Sequence, residues 1–148
     1  MKCRLMLRKK MPKARPLRIL IVDDNDLSRA LLRVILRGDE HDIVGEAISV
    51  QQAIQMCQTM QPDVVLLDIL MPGVPGLDAI GPLKKIRPQA RILMVSANDD
   101  DDNVKRAMEE GADGFIAKPF NSASILQTMQ HMADTFTFAA PATLAGLS

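Results

Sequence analysis

Tryptophan and tyrosine are absent from the 148 residues, and phenylalanine occurs only four times. A function that stacks nucleic-acid bases on an aromatic platform is therefore a poor fit. Cysteine is scarcer still. Cys3 lies in a basic segment and Cys57 in a helical pattern, with no partner spacing that suggests zinc or a redox pair. Both are expected to be reduced thiols, as in a cytosol. No stretch is long and apolar enough to span a bilayer, and the start "MKCRLMLRKKMPKARP" lacks the apolar run of a secretory signal. A cytoplasmic location is the expectation. What the chain does contain is 47% hydrophobic and 24% charged residues, the composition of one domain with a substantial core. Its ten methionines read as fillers of core gaps rather than soft-metal ligands.

The net charge of zero conceals an asymmetry. Eight of the 18 basic residues fall in the first 18 positions, which contain no acid, so the remainder carries 10 basic and 18 acidic residues. Such a start can touch nucleic acid or anionic lipid. The reading preferred here is a disordered extension over residues 1–16, or an upstream start codon before Met6 or Met11. Residues 17–136 form the globular domain, and 137–148 a short tail.

From Leu17 onward the hydrophobic period switches repeatedly between buried-strand runs and helical stripes, the signal for βα units around a parallel sheet. Five rounds are present. "LRILIV" is the first strand, and it ends at Asp23 and Asp24. A helix from about Asp26 presents Leu27, Ala30, Leu31, Val34 and Ile35 on one face and stops at Gly38 as its C-terminal cap. "DIVGEA" is the second strand. Ser49 and Gln52 then make a capping box for a helix through about Met60, and Pro62 closes the unit. "DVVLLD" is the third strand, followed by the bent and stiffened loop "MPGVPG" and a helix over about Leu77 to Ile86, with Pro82 placed to kink or shorten it. "RILMVS" ends at Ser96. The acidic run from Asp99 to Asp102 resembles a calcium loop, but acids at a helix N-terminus are favoured by its exposed amides, so a solvated helix start is expected, ending at Gly111. "GFIA" ends at Lys118, and a last helix carries Ile125, Met129, Met132, Ala133 and Phe136 at helical spacing.

Ligands of open parallel α/β sheets sit beyond the carboxyl ends of the strands, where the strand order reverses. At those ends stand Asp23, Asp24, Asp68, Ser96 and Lys118. Each alone reads as a helix cap or a surface charge. Three neighbouring carboxylates, however, repel one another and call for a counter-cation. Hard oxygen donors in a water-accessible site suit Mg²⁺, and a metal, a lysine and a hydroxyl together make a cradle for a phosphoryl group. The nucleophile there is a carboxylate, since no cysteine or histidine reaches this rim.

The segments "ILIVDDN", "VVLLDILMPG", "MVSA" and "GADGFIAKPF", in this order and spacing, resemble the receiver domains of bacterial two-component response regulators, of the chemotaxis-receiver type. The resemblance runs from Leu17 to about Thr135. It implies a flavodoxin-like (βα)5 fold, a doubly wound parallel five-stranded sheet of order 2-1-3-4-5. It further implies that Asp68 accepts a phosphoryl group from a sensor histidine kinase or phosphotransfer protein. Asp24 then binds Mg²⁺ directly, Asp23 does so through water, and Asp68 and the backbone carbonyl of Leu70 complete the metal ligands. Lys118 pairs with the phosphate, Ser96 hydrogen-bonds it, and Phe115 matches the aromatic switch position. The change is relayed to the face of the fourth helix, fifth strand and fifth helix, where an unidentified downstream protein binds. The receiver itself is not expected to bind nucleic acid.

Pro75 replaces the Asp that many receivers carry, Phe115 lacks a hydroxyl, and Leu70 and Asn98 fall at positions resembling the family's tuning sites for dephosphorylation. The domain is expected to catalyse only its own phosphorylation and dephosphorylation. An alternative is a Mg²⁺-dependent phosphatase of the haloacid dehalogenase type with an aspartyl nucleophile; those enzymes carry a second Asp two residues on, where this chain has Leu70. A third possibility, a phosphorylation-independent interaction module, is disfavoured by the complete set of acceptor-site residues.

Overall fold

Five runs of aliphatic residues build one sheet, and the reason is visible in their burial. Positions alternate between two faces, and in the three central runs nearly all are inaccessible to water, while the two edge runs are only partly covered, as in a sheet covered on both sides. The computed structural model describes residues 16–69, 71, 76–96, 101–119 and 121–136, with the side chains of Ser96 and Asp101 outside that description. The elements are β1 (Arg18–Val22), α1 (Asp26–Gly38), β2 (Asp42–Ala47), α2 (Val50–Met60), β3 (Val64–Asp68), a 3₁₀ turn (Gly76–Ala79), α3 (Ile80–Ile86), β4 (Arg91–Ser96), α4 (Asp101–Glu110), β5 (Gly114–Ala117) and α5 (Ser122–Thr135). All pairings are parallel, in the order β2-β1-β3-β4-β5. This is the expected flavodoxin-like arrangement. Of the terminal segments assigned above, residues 1–15 and 137–148 lie outside the described residues, as do Cys3, Leu70, Pro75, Asn98, Asp99 and Asp100.

Two cores sandwich the sheet. Leu20, Val22, Val65, Leu67, Ile92 and Met94 point to one face and pack under α2, α3 and α4 through residues such as Cys57, Leu83 and Ala107. Ile19, Ile21, Leu66, Leu93, Val95 and Ile116 point to the other, against Leu32 and Leu36 of α1 and Ile125, Met129 and Met132 of α5. The apolar face expected of α5 is thus the buried one. Burial also pushes the Cys57 thiol up, which keeps it protonated and inert. Among the described residues no helix is long and apolar enough to cross a membrane.

The expectation for α1 is overturned. Its buried residues are Leu32 and Leu36, whereas Leu27, Leu31 and Val34 are 79%, 44% and 69% exposed. The helix carries two apolar stripes side by side: Leu32 and Leu36 are buried, and of the expected stripe Ile35 packs, partly buried, against the same core. Its C-terminus also differs. Gly38 is the last helical residue, Asp39 is the C-cap, and the left-handed residue is Glu40 at φ 65°. A Cβ on Gly38 would meet nothing within 4 Å, so no glycine is required there.

Other local signals read from the sequence correspond to observed caps. Ser49 accepts from the Gln52 N–H at 3.2 Å, while the Gln52 side chain reaches back to the Ile48 N–H at 3.0 Å, one residue earlier than a standard capping box. Pro82 falls in the first turn of α3, where its missing N–H breaks no helical bond. Gly111, at φ 112°, ends α4 in a conformation that glycine adopts without steric cost.

Candidate functional site

Register alone brings the acidic residues together. Val22 of β1 pairs with Leu67 of β3, so the next residues on each strand, Asp23 and Asp68, emerge side by side at the carboxyl rim. Asp68 pairs with Val95, and Ser96 with Ala117, which delivers Lys118 to the same level. The rim between β1 and β3 is also where the chain reverses its direction of winding, the usual ligand crevice of such sheets.

Carboxylate oxygens of Asp23, Asp24 and Asp68 lie within 4.8 Å of one another. Asp23 and Asp68 are buried, at 1% and 6% exposure, and Asp24 is exposed. The Lys118 ammonium donates to Asp23 Oδ2 at 3.1 Å and to Asp68 Oδ2 at 3.3 Å. Burial works against this ammonium, but the hydrogen bond to Asp23 and the charges of Asp68 and Asp23 together prevail, and its pKa rises above the usual lysine value. It is a cation at neutral pH. Among the described residues one ammonium stands against three carboxylates at the rim, and an all-oxygen donor set with one exposed member fits a hard, partly hydrated divalent ion such as Mg²⁺.

The β1–α1 loop is tightly tied. Asp23 Oδ1 accepts from the Asn25 N–H at 2.9 Å, the Asp23 N–H donates to the Ala47 carbonyl at 3.0 Å, and Asn25 caps α1 by accepting from the Ser28 N–H at 2.9 Å. Beyond β3, Gly76 donates to the Ile69 carbonyl at 3.0 Å. A Cβ on Gly76 would stand 2.0 Å from the Asp68 carbonyl oxygen, so the start of the 3₁₀ turn can approach the end of β3 this closely only without a side chain at this position.

Of the residues singled out in the sequence, Asp23, Asp24, Asp68 and Lys118 are brought together. Ser96 ends β4 beside them, though its side chain is outside the description, and Leu70 lies outside the described residues. Phe115 pairs in register with Met94 and packs, half-buried, against the core under α2, α3 and α4.

Two polar groupings went unread. At the opposite end of the sheet Asp63 accepts from the Arg18 N–H at 2.9 Å and pairs with Arg87 at 3.2 Å, anchoring the start of β3. Behind the acidic loop, Arg29, Arg33 and Glu46 form an ion-pair cluster. The only signal for either was a charged residue at a strand end or on the sheet side of a helix. A cleft of about 260 Å³ lined by Lys84, Pro88, Gln89, Arg91 and Asp113 also opens at the far end, but Lys84 and Arg91 already face Asp113 there.

The family model of the response regulator receiver domain matches residues 19–130. The chemotaxis protein CheY of Thermotoga maritima is 34% identical over 116 residues, covering 78% of this chain and 97% of that protein. The chemotaxis protein CheY of Bacillus subtilis is 38% identical over 112 residues, 76% of this chain and 93% of that protein. A chain from the crystal structure of the CheX–CheY–BeF3–Mg²⁺ complex of Borrelia burgdorferi superposes with a TM-score of 0.75 at 30% identity, covering 78% of this chain and 88% of that one.

Proposed function

The chain belongs to the response regulator receiver domain family, and we propose that it is a phosphorylation switch in which Asp68 is the phosphoacceptor. The observation that carries this reading is the buried Asp68 carboxylate, clustered with those of Asp23 and Asp24 and bonded, like Asp23, to the Lys118 ammonium. A sensor histidine kinase or phosphotransfer protein is the donor. A carboxylate oxygen of Asp68 attacks phosphorus, the P–O bond forms as the P–N bond to the donor imidazole breaks, and the ring nitrogen keeps the electron pair. β3 holds the attacking oxygen in place, so little orientation remains to be found at the moment of transfer.

The exposed Asp24 and the acceptor Asp68 would hold Mg²⁺ through their carboxylates. Both oxygens of Asp23 already accept hydrogen bonds, from Asn25 and Lys118, which suits contact through water. The Leu70 carbonyl completes the protein donors. The bound Mg²⁺ supplies positive charge against the phosphoryl oxygens. Lys118 adds a second cation, exchanging its carboxylate partners for phosphate. The same family membership favours a regulatory switch over the phosphatase alternative.

Relay then follows from packing. The phosphoryl group draws the Ser96 hydroxyl toward it, the half-buried Phe115 ring turns into the space released, and the face of α4, β5 and α5 changes shape for a downstream protein. The exposed Leu27 and Ile48 flank the rim and offer apolar surface to the incoming donor.

Incubation with Mg²⁺ and a small acyl phosphate, read by intact mass, tests the assignment. Wild type should gain one phosphoryl group and Asp68→Asn none. A mutant that is still modified places the acceptor elsewhere.

A further inference from the structure

Arg29 sits one turn into α1, and its guanidinium folds back beneath the acidic loop. Nη1 donates to the main-chain carbonyl of Asp23 at 2.8 Å, Nη2 pairs with Asp26, and Nε lies 3.5 Å from Glu46 Oε1. Glu46 is itself gripped by Arg33 through two bonds of 2.6 and 2.7 Å. Arg29 is only 13% exposed, unusual for an arginine near a surface helix. The N–H and carboxylate of Asp23 are bound by Ala47, Asn25 and Lys118. Its carbonyl is the remaining polar group, and Arg29 takes it.

We propose that Arg29 is a positioning residue for the metal site, locking the turn at Asp23 to Asn25 so that the carboxylates of Asp23 and Asp24 face Asp68 before any cation arrives. The inference rests on the Mg²⁺-dependent reading above and deepens it. Three carboxylates at this separation push one another apart, and an untied loop would let Asp24 swing away. The work of gathering the ligands would then be subtracted from metal affinity, whereas a prearranged set needs no such work. A cation so near a metal site ordinarily weakens it. Here the guanidinium charge faces the carboxylates of Asp26 and Glu46, so Arg29 supplies a rigid hydrogen-bond fork while its charge is matched by its own partners. Lysine offers a point charge without that planar fork.

The experiment uses the full chain and Mg²⁺ alone as the ligand. Dissociation constants are measured by calorimetry for wild type, Arg29→Ala, Arg29→Lys and Arg87→Ala, the last removing an ion pair at the far end of the sheet. Loss of a charge-assisted hydrogen bond that orders the ligands should raise the Mg²⁺ dissociation constant about tenfold in Arg29→Ala, with Arg29→Lys in between and Arg87→Ala unchanged. Amide exchange at Asn25, whose N–H bonds to Asp23 Oδ1, should accelerate in Arg29→Ala only. The limiting phosphorylation rate at saturating Mg²⁺ should change far less than the dissociation constant. Where alanine unfolds the chain, Arg29→Gln carries the same comparison.

An unchanged dissociation constant in Arg29→Ala, or equal weakening in Arg87→Ala, overturns the positioning role while leaving the phosphorylation switch intact. A wild-type chain that binds no Mg²⁺ overturns both.

Discussion

Asp23→Asn is the perturbation that most directly probes the charge arrangement at the rim. Asp23 faces two carboxylates, Asp24 and Asp68, with oxygens no more than 4.8 Å away. At an effective dielectric constant of about 20, each pair repels by about 3.5 kcal/mol, so the two together amount to about 7 kcal/mol. Against this stands the Lys118 ammonium at 3.1 Å, an attraction of about 5.4 kcal/mol on the same scale. The difference, about 1.5 kcal/mol, favours removing the charge. Water screens the repulsion from the exposed Asp24 more than the attraction to the largely buried Lys118, which shrinks this difference, so the expected gain rests as much on burial as on repulsion. The substitution also relieves the burial of a carboxylate that is 1% exposed, and the asparagine carbonyl still accepts from the Asn25 N–H. Metal-free Asp23→Asn should therefore melt higher than metal-free wild type, by roughly 3–6 °C for about 1 kcal/mol or a little more. Mg²⁺ should reverse the order. At ten times its dissociation constant it stabilises wild type by about 1.4 kcal/mol, while the mutant, short of one ligand charge, responds weakly and is phosphorylated slowly. Calorimetric melting in EDTA and then in Mg²⁺ measures both arms. A mutant less stable than wild type in EDTA would mean that the Lys118 ion pair outweighs the repulsion, and the electrostatic argument for a cation site would fail.

Gly76→Ala should cost about 1–3 kcal/mol as the new Cβ displaces the Asp68 carbonyl, and should slow phosphorylation; unchanged kinetics would show that the close approach does not position the acceptor. Leu36→Ala should cost about 2–5 kcal/mol and Leu27→Ala no more than about 0.5 kcal/mol, and chemical denaturation giving the reverse order would place the other stripe of α1 against the sheet. Glu46 titrates below its ordinary 4.5 chiefly because Arg33 hydrogen-bonds it, with burial opposing and the charges of Arg33 and Arg29 adding. A depressed folded-state pKa gives stability that is present above the unfolded value and lost as pH falls through the folded one. The melting temperature should thus drop more steeply below about pH 4.5 in wild type than in Glu46→Gln, and parallel acid curves would refute the pairing. Ser96→Ala should still accept phosphate at Asp68 but transmit it poorly, so equal partner binding by phosphorylated mutant and wild type would rule out the hydroxyl as the relay.

The sequence by itself determined the five strands, the ends at which they stop, and hence the rim of Asp23, Asp24, Asp68 and Lys118. The physical reason is that strands buried on both faces must be apolar throughout, so in the central strands β1, β3 and β4 the first polar residue after the run marks its exit from the core. Parallel winding then puts all these exits at one end. Motif order carried the strand order and the proposal that Asp68 is the acceptor. The tertiary structure alone decided which of two adjacent apolar stripes on α1 is buried, because helical periodicity reports that a stripe exists but not which way it is turned when Leu27, Leu31 and Val34 compete with Leu32 and Leu36. It alone also decided the ion pairs of Glu46 with Arg29 and Arg33, and of Asp63 with Arg87. These join residues 13 to 24 positions apart, and no local pattern encodes such partners, since a salt bridge depends on strand register and helix rotation that are fixed only when the whole sheet is packed.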